Sequence, residues 1–574
     1  MKFYEDKLKY PRPGFYRKSY TNLNGRYELA FLSIEEGINK KYPEGFDQQE
    51  SIEVPYVYQV ELPHIKQQNH LWYQRLFDVA DPSKRHLLHF EGIDYLSRIY
   101  VNGKLVKTNE GAYHRFSVEL FDLKEKDNLL VIYAYDDNRT DLPRGKQTWK
   151  NTPFACWYTE SSGIYKDVWL ETLNENYIKD VKITTSLDDF SANFNYSVDK
   201  INQTELEIEV SYDGESVSKA RYTLNSLTDS FQLPIKTKSH QFKVYTWHPN
   251  HPDLYDVIYR LYEKNVLVDE VSSHFGFRKL ETKNQGIYLN DEPIYLKMTL
   301  DQGYFKKHLT PTIQELIKDV QLTKQMGFNG IRKHQKIEDE RFYFLCDVHG
   351  LYVFLEMPSA YEFNQNLMNR FSREWVKILD QYYNYTSIIC HVLFNESWGI
   401  PHVSSHLSEQ AFSVAMYHLT KAKDPTRLVI SNDGWEHTKS DLITIHNYYE
   451  TGKQLSDLYG SLEDRLNDRY SNQLNVRKLF SNGFSYDGQP VLISEYGGIS
   501  FRNDDGWGYG NQVDSKEAFK ERLQGLTDAI YDLKNVSGYC LTQTTDVYQE
   551  TNGVLTFDRK PKLDLDVYKK INRE

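Results

Sequence analysis

Two glutamates, Glu396 and Glu495, stand where acid–base chemistry could be done. Each closes a short, mostly apolar run, at 391–394 and 491–494, and is followed by small and aromatic residues. Such a run predicts a buried parallel strand that delivers its last side chain to a site. A carboxylate there is costly unless it is paired or used. Two facing acids of this kind are the groups that cleavage of a glycosidic bond requires.

The pattern around these glutamates predicts the elements that hold them. In the C-terminal half of the chain, strand-like runs alternate with runs of helical period. Thr312 and Glu315 form a capping-box pattern before one helical face, and further helices are predicted over 407–420 and 516–533. The alternation has the length of one (β/α)8 TIM barrel, which we predict over 281–574 with both acids at its C-terminal mouth.

The N-terminal half reads as β structure. Residues 1–173 contain many short strands broken by turns, among them the hairpin signal Asn102-Gly103, and predict a β jelly roll. Residues 174–280 alternate apolar and polar side chains at period two, which predicts an immunoglobulin-like β-sandwich that acts as a spacer. Within the barrel, the polar segment 451–489 exceeds a usual βα loop and predicts a lid or rim insertion.

Composition excludes several partners. The 574 residues carry a net charge of −12 with acids and bases interspersed, which argues against nucleic acid and anionic membranes as partners. The N-terminus shows no apolar signal region, so we expect a cytoplasmic protein. The 45 Tyr and 9 Trp suit either a carbohydrate site or aromatic-rich β cores. Four widely spaced cysteines match no disulfide or metal framework and are expected to be free, buried thiols: Cys156, Cys346, Cys390 and Cys540.

Several motifs together resemble glycoside hydrolase family 2, the family of β-galactosidases, β-glucuronidases and β-mannosidases. The resemblance covers nearly the whole chain, in the family's order of domains. It is carried by 162–170 in the first domain and, in or next to the barrel, by Gly276-Phe277-Arg278, 326–332, Phe394-Asn395-Glu396 and Ser494-Glu495-Tyr496-Gly497. It implies a jelly roll, an immunoglobulin-like domain and a TIM barrel.

The same resemblance implies roles for the residues around the two acids. Glu396 would be the acid/base and Glu495 the nucleophile of a retaining mechanism. Asn395 can donate a hydrogen bond to the 2-hydroxyl of the sugar, and Tyr448 can donate one to Glu495 and hold it ionised. A helix cap for Glu396 and a surface acid for Glu495 are the structural alternatives.

Other candidates follow predicted strand ends. The resemblance suggests that Arg332 and His334 orient the nucleophile and the sugar hydroxyls, although the family more often has Ser-His at this place. Trp435 is a candidate sugar platform, with core packing as the equal alternative. His446 is a comparable candidate for substrate binding.

Two departures from the family narrow the substrate. β-Glucuronidases share an Asn-x-Lys element that binds the sugar carboxylate. In this chain Glu550 occupies the first position of that element, and its charge would repel an anionic sugar. Gln543 lies in a segment that replaces the family's usual tryptophan and is a further binding candidate. Trp157 is also a substrate-binding candidate and belongs to a loop at 143–165 that is predicted to leave its own domain and touch another. The large β-galactosidases carry a Glu-x-His metal element, and in the matching region here no histidine follows Glu356. No required metal is therefore expected, and no other cofactor is predicted.

The sequence therefore predicts a retaining exo-β-glycosidase for neutral sugars, most similar to β-galactosidases. β-Glucuronidase or β-mannosidase activity is the alternative within the family, and a non-catalytic carbohydrate-binding protein is the alternative from another class. A carbohydrate is the expected partner, and the family resemblance leaves a homo-oligomer possible.

Overall fold

The computed structural model describes residues 2–150, 152–236, 244–467, 477–502 and 505–574. Two β-sandwiches precede a parallel barrel, in agreement with the predicted fold class. Among the described residues, none of the helices is both long and apolar enough to cross a bilayer.

The first domain is a jelly roll of two antiparallel sheets. Six strands form the larger sheet, in the order Glu50–Val54, Gly25–Ala30, His70–Phe77, Asn128–Tyr135, Leu96–Val101 and Lys104–Glu110. Four form the other, in the order Tyr20–Asn22, Val168–Leu173, Arg85–Phe90 and Phe116–Leu120. Leu88, Ile99 and Ile132 are fully buried in one cluster between them. The predicted hairpin is confirmed, with φ of 48° at Asn102 and 81° at Gly103.

The second domain is the predicted sandwich. Three strands form one sheet: Ile178–Ser186, Ser191–Val198 and Thr228–Pro234. Four form the other, in the order Glu215–Thr223, Thr204–Tyr212, Tyr255–Glu263 and Val266–Phe275. The period-two pattern has the expected consequence, since Leu206, Ile208 and Val210 are all fully buried in its core.

Eight parallel strands form the barrel. In chain order, β1 to β8 are Leu296–Asp301, Gly330–Lys333, Tyr352–Glu356, Ile388–Val392, Leu428–Ile430, Ile443–His446, Val491–Gly497 and Val536–Thr542. The hydrogen-bonded order is β5-β4-β3-β2-β1-β8-β7-β6, so the ladder is nearly closed, with β5 and β6 at its two ends. Every residue of β2, β3, β4 and β7 is buried, as expected for a barrel wall covered by helices.

Helices cover the outside of the barrel. Their bounds are Ile313–Gln325, Glu340–His349, Gln365–Tyr382, Leu407–Lys423, Gly452–Tyr459, Leu462–Asn467, Lys516–Tyr531 and Leu565–Ile571. The predicted capping box is present, with the Thr312 side chain accepting from the Glu315 N–H and the Glu315 side chain accepting from Thr312. The connection between β5 and β6 contains no helix.

The predicted insertion at 451–489 divides into parts. Residues 468–476 lie outside the described residues. The helix Gly452–Tyr459 packs on Lys516–Tyr531 so closely that a Cβ at Gly452 would lie 2.2 Å from the Gly525 carbonyl oxygen. This part therefore belongs to the outer helix layer and is not a lid. Farther on, Lys478 accepts a backbone hydrogen bond of 2.9 Å from Glu436 and borders the barrel rim.

The loop at 143–165 leaves the jelly roll and reaches the barrel, as predicted. The Arg144 N–H donates to the Ser359 carbonyl at 2.9 Å, beyond the end of β3. The Tyr158 hydroxyl donates to Glu550 at 2.9 Å, and Gln549 donates to the Trp157 carbonyl at 3.0 Å. The loop thus forms part of the wall above the barrel mouth.

Candidate active site

Polar side chains from the carboxyl ends of the barrel strands meet in one cleft. Because parallel strands end at the same side of a barrel, their last residues point toward a common space. In strand order from β2 to β8 these residues are Arg332, Glu356, Asn395 and Glu396, Asp433, His446, Glu495 and Gln543.

The two predicted acids converge. One carboxylate oxygen of Glu396, one of Glu495 and a ring nitrogen of His446 all lie within 4.8 Å of one another. Glu495 lies within β7, and its side chain is 6% exposed. Glu396 lies beyond the end of β4, and its side chain is 21% exposed. The acids therefore face the same space from different depths.

The backbone at Glu396 adopts a conformation that non-glycine residues rarely hold. The φ angles are 52° at Glu396 and 62° at Ser397, both in the left-handed region. The turn is fixed from β5, because the Glu396 N–H donates to the Asp433 carbonyl at 3.0 Å and the Ser397 N–H donates to Asn432 at 2.9 Å. This turn directs the Glu396 side chain back over the barrel mouth.

Arg332, on β2, contacts side chains from four other strand ends, those of β3, β4, β5 and β7. Its guanidinium is fully buried and donates to Glu356 at 2.8 Å, to Glu495 at 2.9 Å and to the Asn395 side-chain oxygen at 2.6 Å. It also forms an ion pair of 3.1 Å with Asp433. A buried charge is tolerated only when opposite charges surround it, and here three carboxylates share one guanidinium.

Glu495 is held in its ionised form. Burial alone would raise the pKa of its carboxyl group, but the charges of His446 and Arg332 outweigh burial and lower the pKa. The Tyr448 hydroxyl donates to the second oxygen of Glu495. Burial and the Glu495 charge raise the pKa of Tyr448 well above 10, so Tyr448 remains a donor. The ring of Tyr509 stacks on Tyr448, with centroids 3.4 Å apart.

Asn395 and His334 both contact the same guanidinium nitrogen of Arg332. The Asn395 side-chain N–H group is buried and makes no hydrogen bond within the described residues, so it is free to donate to a ligand. His334 contacts Glu356 at 3.1 Å. Burial lowers the pKa of His334 despite the neighbouring Glu356 charge. The ring of Trp398 lies 6.2 Å from that of His334.

The two tryptophan candidates, Trp157 and Trp435, pack against different residues. Trp157 stacks on Phe154 with centroids 5.0 Å apart and lies 5.5 Å from Trp398. Trp435 meets the His446 ring edge-on at 5.5 Å. The indole N–H group of Trp435 is buried and makes no hydrogen bond in the described part of the chain. Trp157 packs edge-on against Tyr361, with centroids 5.6 Å apart.

Glu550 is held by one residue of the jelly-roll loop and two residues beyond the ends of barrel strands. One of its oxygens accepts from Tyr158 at 2.9 Å, from Gln543 at 3.1 Å and from Gln302 at 3.3 Å. Burial raises the pKa of Glu550, against the opposing charge of Lys146. Gln543 therefore orients Glu550, and its own side-chain oxygen makes no hydrogen bond within the described residues.

The sequence did not identify two residues of the cleft, Glu356 and Lys146. Glu356 closes an apolar run, as Glu396 and Glu495 do, and this pattern could have identified it. Lys146 comes from the jelly-roll loop, and its Nζ lies 4.7 Å from the centre of the Trp398 ring. No strand-end pattern marks it. The expectation of four buried cysteines was wrong for Cys156, which is only partly buried, because it lies on the same loop.

The carboxylates and His446 lie close enough to hold an ion, but the donor set does not favour one. Both ring nitrogens of His446 face carboxylates, at 2.9 Å to Glu396 and 3.2 Å to Asp433. A metal needs a neutral imidazole with a free lone pair, whereas two facing carboxylates favour a ring with two protons. A proton suits this cluster better than a metal ion.

A barrel with two convergent carboxylates at its C-terminal mouth is the arrangement of barrel glycosidases. Family models agree domain by domain. The galactose-binding domain-like model of glycosyl hydrolase 2 matches residues 46–184, glycosyl hydrolases family 2 matches 176–278, and the family 2 TIM barrel domain matches 280–574. The chain belongs to glycoside hydrolase family 2.

Individual relatives carry different names. The chain is 27% identical over 359 residues to a β-galactosidase of Thermoanaerobacter pseudethanolicus, covering 58% of this chain and 46% of that protein. It is 25% identical over 447 residues to a putative β-glucuronidase of Formosa agariphila, covering 75% of this chain and 50% of that protein. The chain thus spans about half the length of these curated relatives.

Solved structures share the whole fold at low identity. A β-galacturonidase of Eisenbergiella tayi superposes with a TM-score of 0.74 at 20% identity, covering 98% of this chain and 97% of that one. A β-glucuronidase of Ruminococcus gnavus gives 0.78 at 18% identity, covering 97% and 98%. At such identities the likeness concerns the fold alone.

The buried charge of Arg332 generates a stability prediction. Arg332→Met leaves Glu356, Asp433 and Glu495 without their shared cation and should lower the free energy of unfolding by about 3–5 kcal/mol at pH 7. The measurement is urea denaturation followed by tryptophan fluorescence. Arg12→Met is the control, because Arg12 pairs with a partly exposed Asp180 at 2.7 Å and should cost less than about 1 kcal/mol. Equal losses in both variants would contradict the role of Arg332.

The same contact predicts a pH dependence. Burial alone would raise the pKa of the Glu356 carboxyl group, but the charges of Arg332 and His334 outweigh burial and lower it from 4.5 to about 2. The stability contributed by ionised Glu356 is therefore complete above pH 4.5, the ordinary pKa of its carboxyl group, and is lost as the pH falls toward 2. The stability difference between wild type and Arg332→Met should shrink as the pH falls through that interval, which urea denaturation at a series of pH values measures.

Proposed function

We propose that this protein is a retaining exo-β-glycosidase that hydrolyses terminal β-linked neutral sugars, with β-galactosides as the first candidates. The convergence of Glu396 and Glu495 carries the proposal, because their nearest oxygens lie within 4.8 Å. Inverting enzymes separate their carboxyl groups by about 6.5–9.5 Å to admit a water molecule, whereas retaining enzymes hold them about 5–5.5 Å apart.

The environments of the two acids support different roles. Glu495, ionised and buried between Arg332 and His446, attacks the anomeric carbon and forms an ester as the glycosidic bond breaks. Glu396 gives its proton to the departing oxygen. A water molecule then attacks the same carbon, Glu396 takes a proton from it, and Glu495 leaves as a carboxylate.

Binding of the sugar uses the unpaired donors of the cleft. The free N–H of Asn395 is placed to donate to the 2-hydroxyl, a contact that strengthens in the transition state. The rings of Trp157 and Trp435 offer apolar faces, and Trp435 adds an N–H donor. His334, fixed by Glu356, completes this wall.

Glu550 supports a neutral sugar. The family resemblance puts Glu550 at the start of the element with which β-glucuronidases bind the sugar carboxylate, and its burial strengthens any repulsion between like charges. A neutral sugar instead offers hydroxyl donors, which a carboxylate accepts well.

One observation favours the second candidate, hydrolysis of β-glucuronides or related uronides. Lys146 is 5% exposed, and among the described residues no carboxylate oxygen lies within 4.0 Å of its Nζ. Burial lowers the pKa of Lys146, but the charges of Cys156, Glu550 and both catalytic acids outweigh it. A sugar carboxylate could use this cation. The intact pair of acids argues against a purely carbohydrate-binding protein.

Removing the nucleophile gives the first test. Glu495→Gln keeps the shape of the side chain but removes the attacking charge, so turnover should fall by about three to five orders of magnitude. Release of nitrophenol from β-glycosides measures it. Glu374→Gln is the matched control, because Glu374 is also buried but bonds the Tyr113 backbone on the outer side of the barrel. Retained turnover in Glu495→Gln would refute the assigned nucleophile.

Removing the acid gives a second test. Glu396→Ala should reduce turnover of poor leaving groups strongly and of dinitrophenyl glycosides weakly, because good leaving groups need little protonation. Added azide should restore turnover of the activated substrates, since it can replace the water that Glu396 would activate. An equal loss on all leaving groups would contradict the role of Glu396.

The choice between neutral and anionic sugars needs a substrate panel and two variants. Wild type is expected to cleave a neutral nitrophenyl glycoside, and Glu550→Gln should lower its kcat/KM about 10- to 100-fold, the effect of about 1.5–3 kcal/mol from a hydrogen bond to a charged group. Cleavage of uronides by wild type, together with its loss in Lys146→Met and retention in Glu550→Gln, would establish the second candidate instead.

A further inference from the structure

His446 stands between the two catalytic acids. At the end of β6, its Nδ1 lies 2.9 Å from a Glu396 oxygen. Its Nε2 lies 3.2 Å from Asp433 and 3.4 Å from Glu495. Carboxylates therefore occupy both ring nitrogens, and the side chain is 1% exposed. The substrate-binding role that the sequence suggested for His446 does not fit these contacts.

Contacts on both nitrogens define the protonation state. A neutral imidazole can donate from one nitrogen only, and the other would direct its lone pair at a carboxylate. The doubly protonated ring satisfies both sides. In agreement, burial disfavours the charged ring, but Glu495, Asp433 and Glu396 outweigh it and raise the pKa of His446 to about 10.

Other charged and titratable groups surround this cluster. Arg332, from β2, pairs with Asp433 and Glu495 and shares their charge with His446. The Tyr448 hydroxyl occupies the other oxygen of Glu495. His437, on the loop after β5, has a pKa lowered by burial to about 4 and is neutral. Arg477 lies over Trp435, with its guanidinium 5.8 Å from the ring centre.

The loop after β5 packs closely against the His446 ring. Gly434 has a φ of 102°, and a Cβ at this position would lie 2.7 Å from the His446 Nδ1. Trp435 covers another side edge-on. The backbone of the β5 loop thus approaches the imidazole closely and leaves it one orientation.

We propose that His446 is a positioning residue that keeps one positive charge between Glu396 and Glu495 throughout the double displacement. The inference rests on the proposed function. Before attack, this charge faces the Glu495 carboxylate. When Glu495 forms the ester and loses its charge, Glu396 has just given up its proton and becomes the anion that His446 faces. The cation therefore has an anionic partner in both halves of the reaction.

The same contact orients the acid. Because the His446 N–H donates to Oε1 of Glu396, the transferable proton resides on Oε2. His446 thus directs that proton toward the cleft without touching the substrate.

The test is the pH dependence of kcat/KM for His446→Gln and His446→Asn. Loss of a nearby cation raises the pKa of both carboxyl groups, so both limbs of the bell-shaped profile should move to higher pH by about one unit or more. The KM should change little, because the ring makes no sugar contact. His391→Gln is the control: His391 is buried and bonds Asp424 at 3.1 Å, on the outer side of β4.

The outcomes separate the two proposals. A wild-type enzyme that cleaves no glycoside refutes the proposed function. An active enzyme whose limbs stay in place in both His446 variants, or whose loss lies entirely in KM, refutes the role of His446. NMR of 15N-histidine-labelled protein gives a readout without turnover: an imidazolium signal at pH 8 that disappears in His446→Gln supports the proposal, and neutral histidine signals alone overturn it.

Discussion

The buried guanidinium of Arg332 is the interaction on which the cleft depends. Three carboxylates from β3, the β5 end and β7 converge at one end of a barrel, where water cannot screen them. Without a shared cation their repulsion would favour protonation or separation of the strand ends. Arg332 allows the acids to stay close and charged. His446 adds a second cation, so Glu495 contacts two positively charged side chains while Glu396 stays nearer to solvent.

The jelly roll contributes to chemistry as well as to architecture. Its loop at 143–165 presses onto the barrel, and a Cβ at Gly145 would lie 2.3 Å from the Gln335 carbonyl oxygen. Such an approach is possible only for glycine. The loop delivers Lys146 and Trp157 above the acids, and Tyr158 holds Glu550 from the same side. The charge at the mouth of the cleft is therefore set jointly by two domains, one with a lysine and one with a glutamate.

Periodicity and caps were sufficient to predict much of the fold. Period-two strands, the Thr312 capping box and the strand ends at Glu396 and Glu495 are local patterns, and local patterns can be read from sequence. Lys146 could not be found in this way, because its position depends on a loop crossing between domains. The inward packing of the helix Gly452–Tyr459 depends on a glycine contact with a helix far along the chain. His446 was identified but assigned to the substrate, since its burial and its two carboxylate partners are tertiary properties.

The different environments of Glu396 and Glu495 follow from where each residue lies relative to the end of its strand. Glu495 is a member of β7 itself, so its side chain inherits the depth of the barrel wall and the cations assembled there. Glu396 lies four residues beyond β4, on a left-handed turn whose N–H groups are held by the β5 loop. That extra length moves its carboxyl group toward solvent, and its side chain is 21% exposed. The same turn brings Oε1 back to His446. The position of each acid relative to its strand, within β7 for Glu495 and beyond β4 for Glu396, is thus enough to give two identical side chains a buried, charged environment in one case and an accessible one in the other.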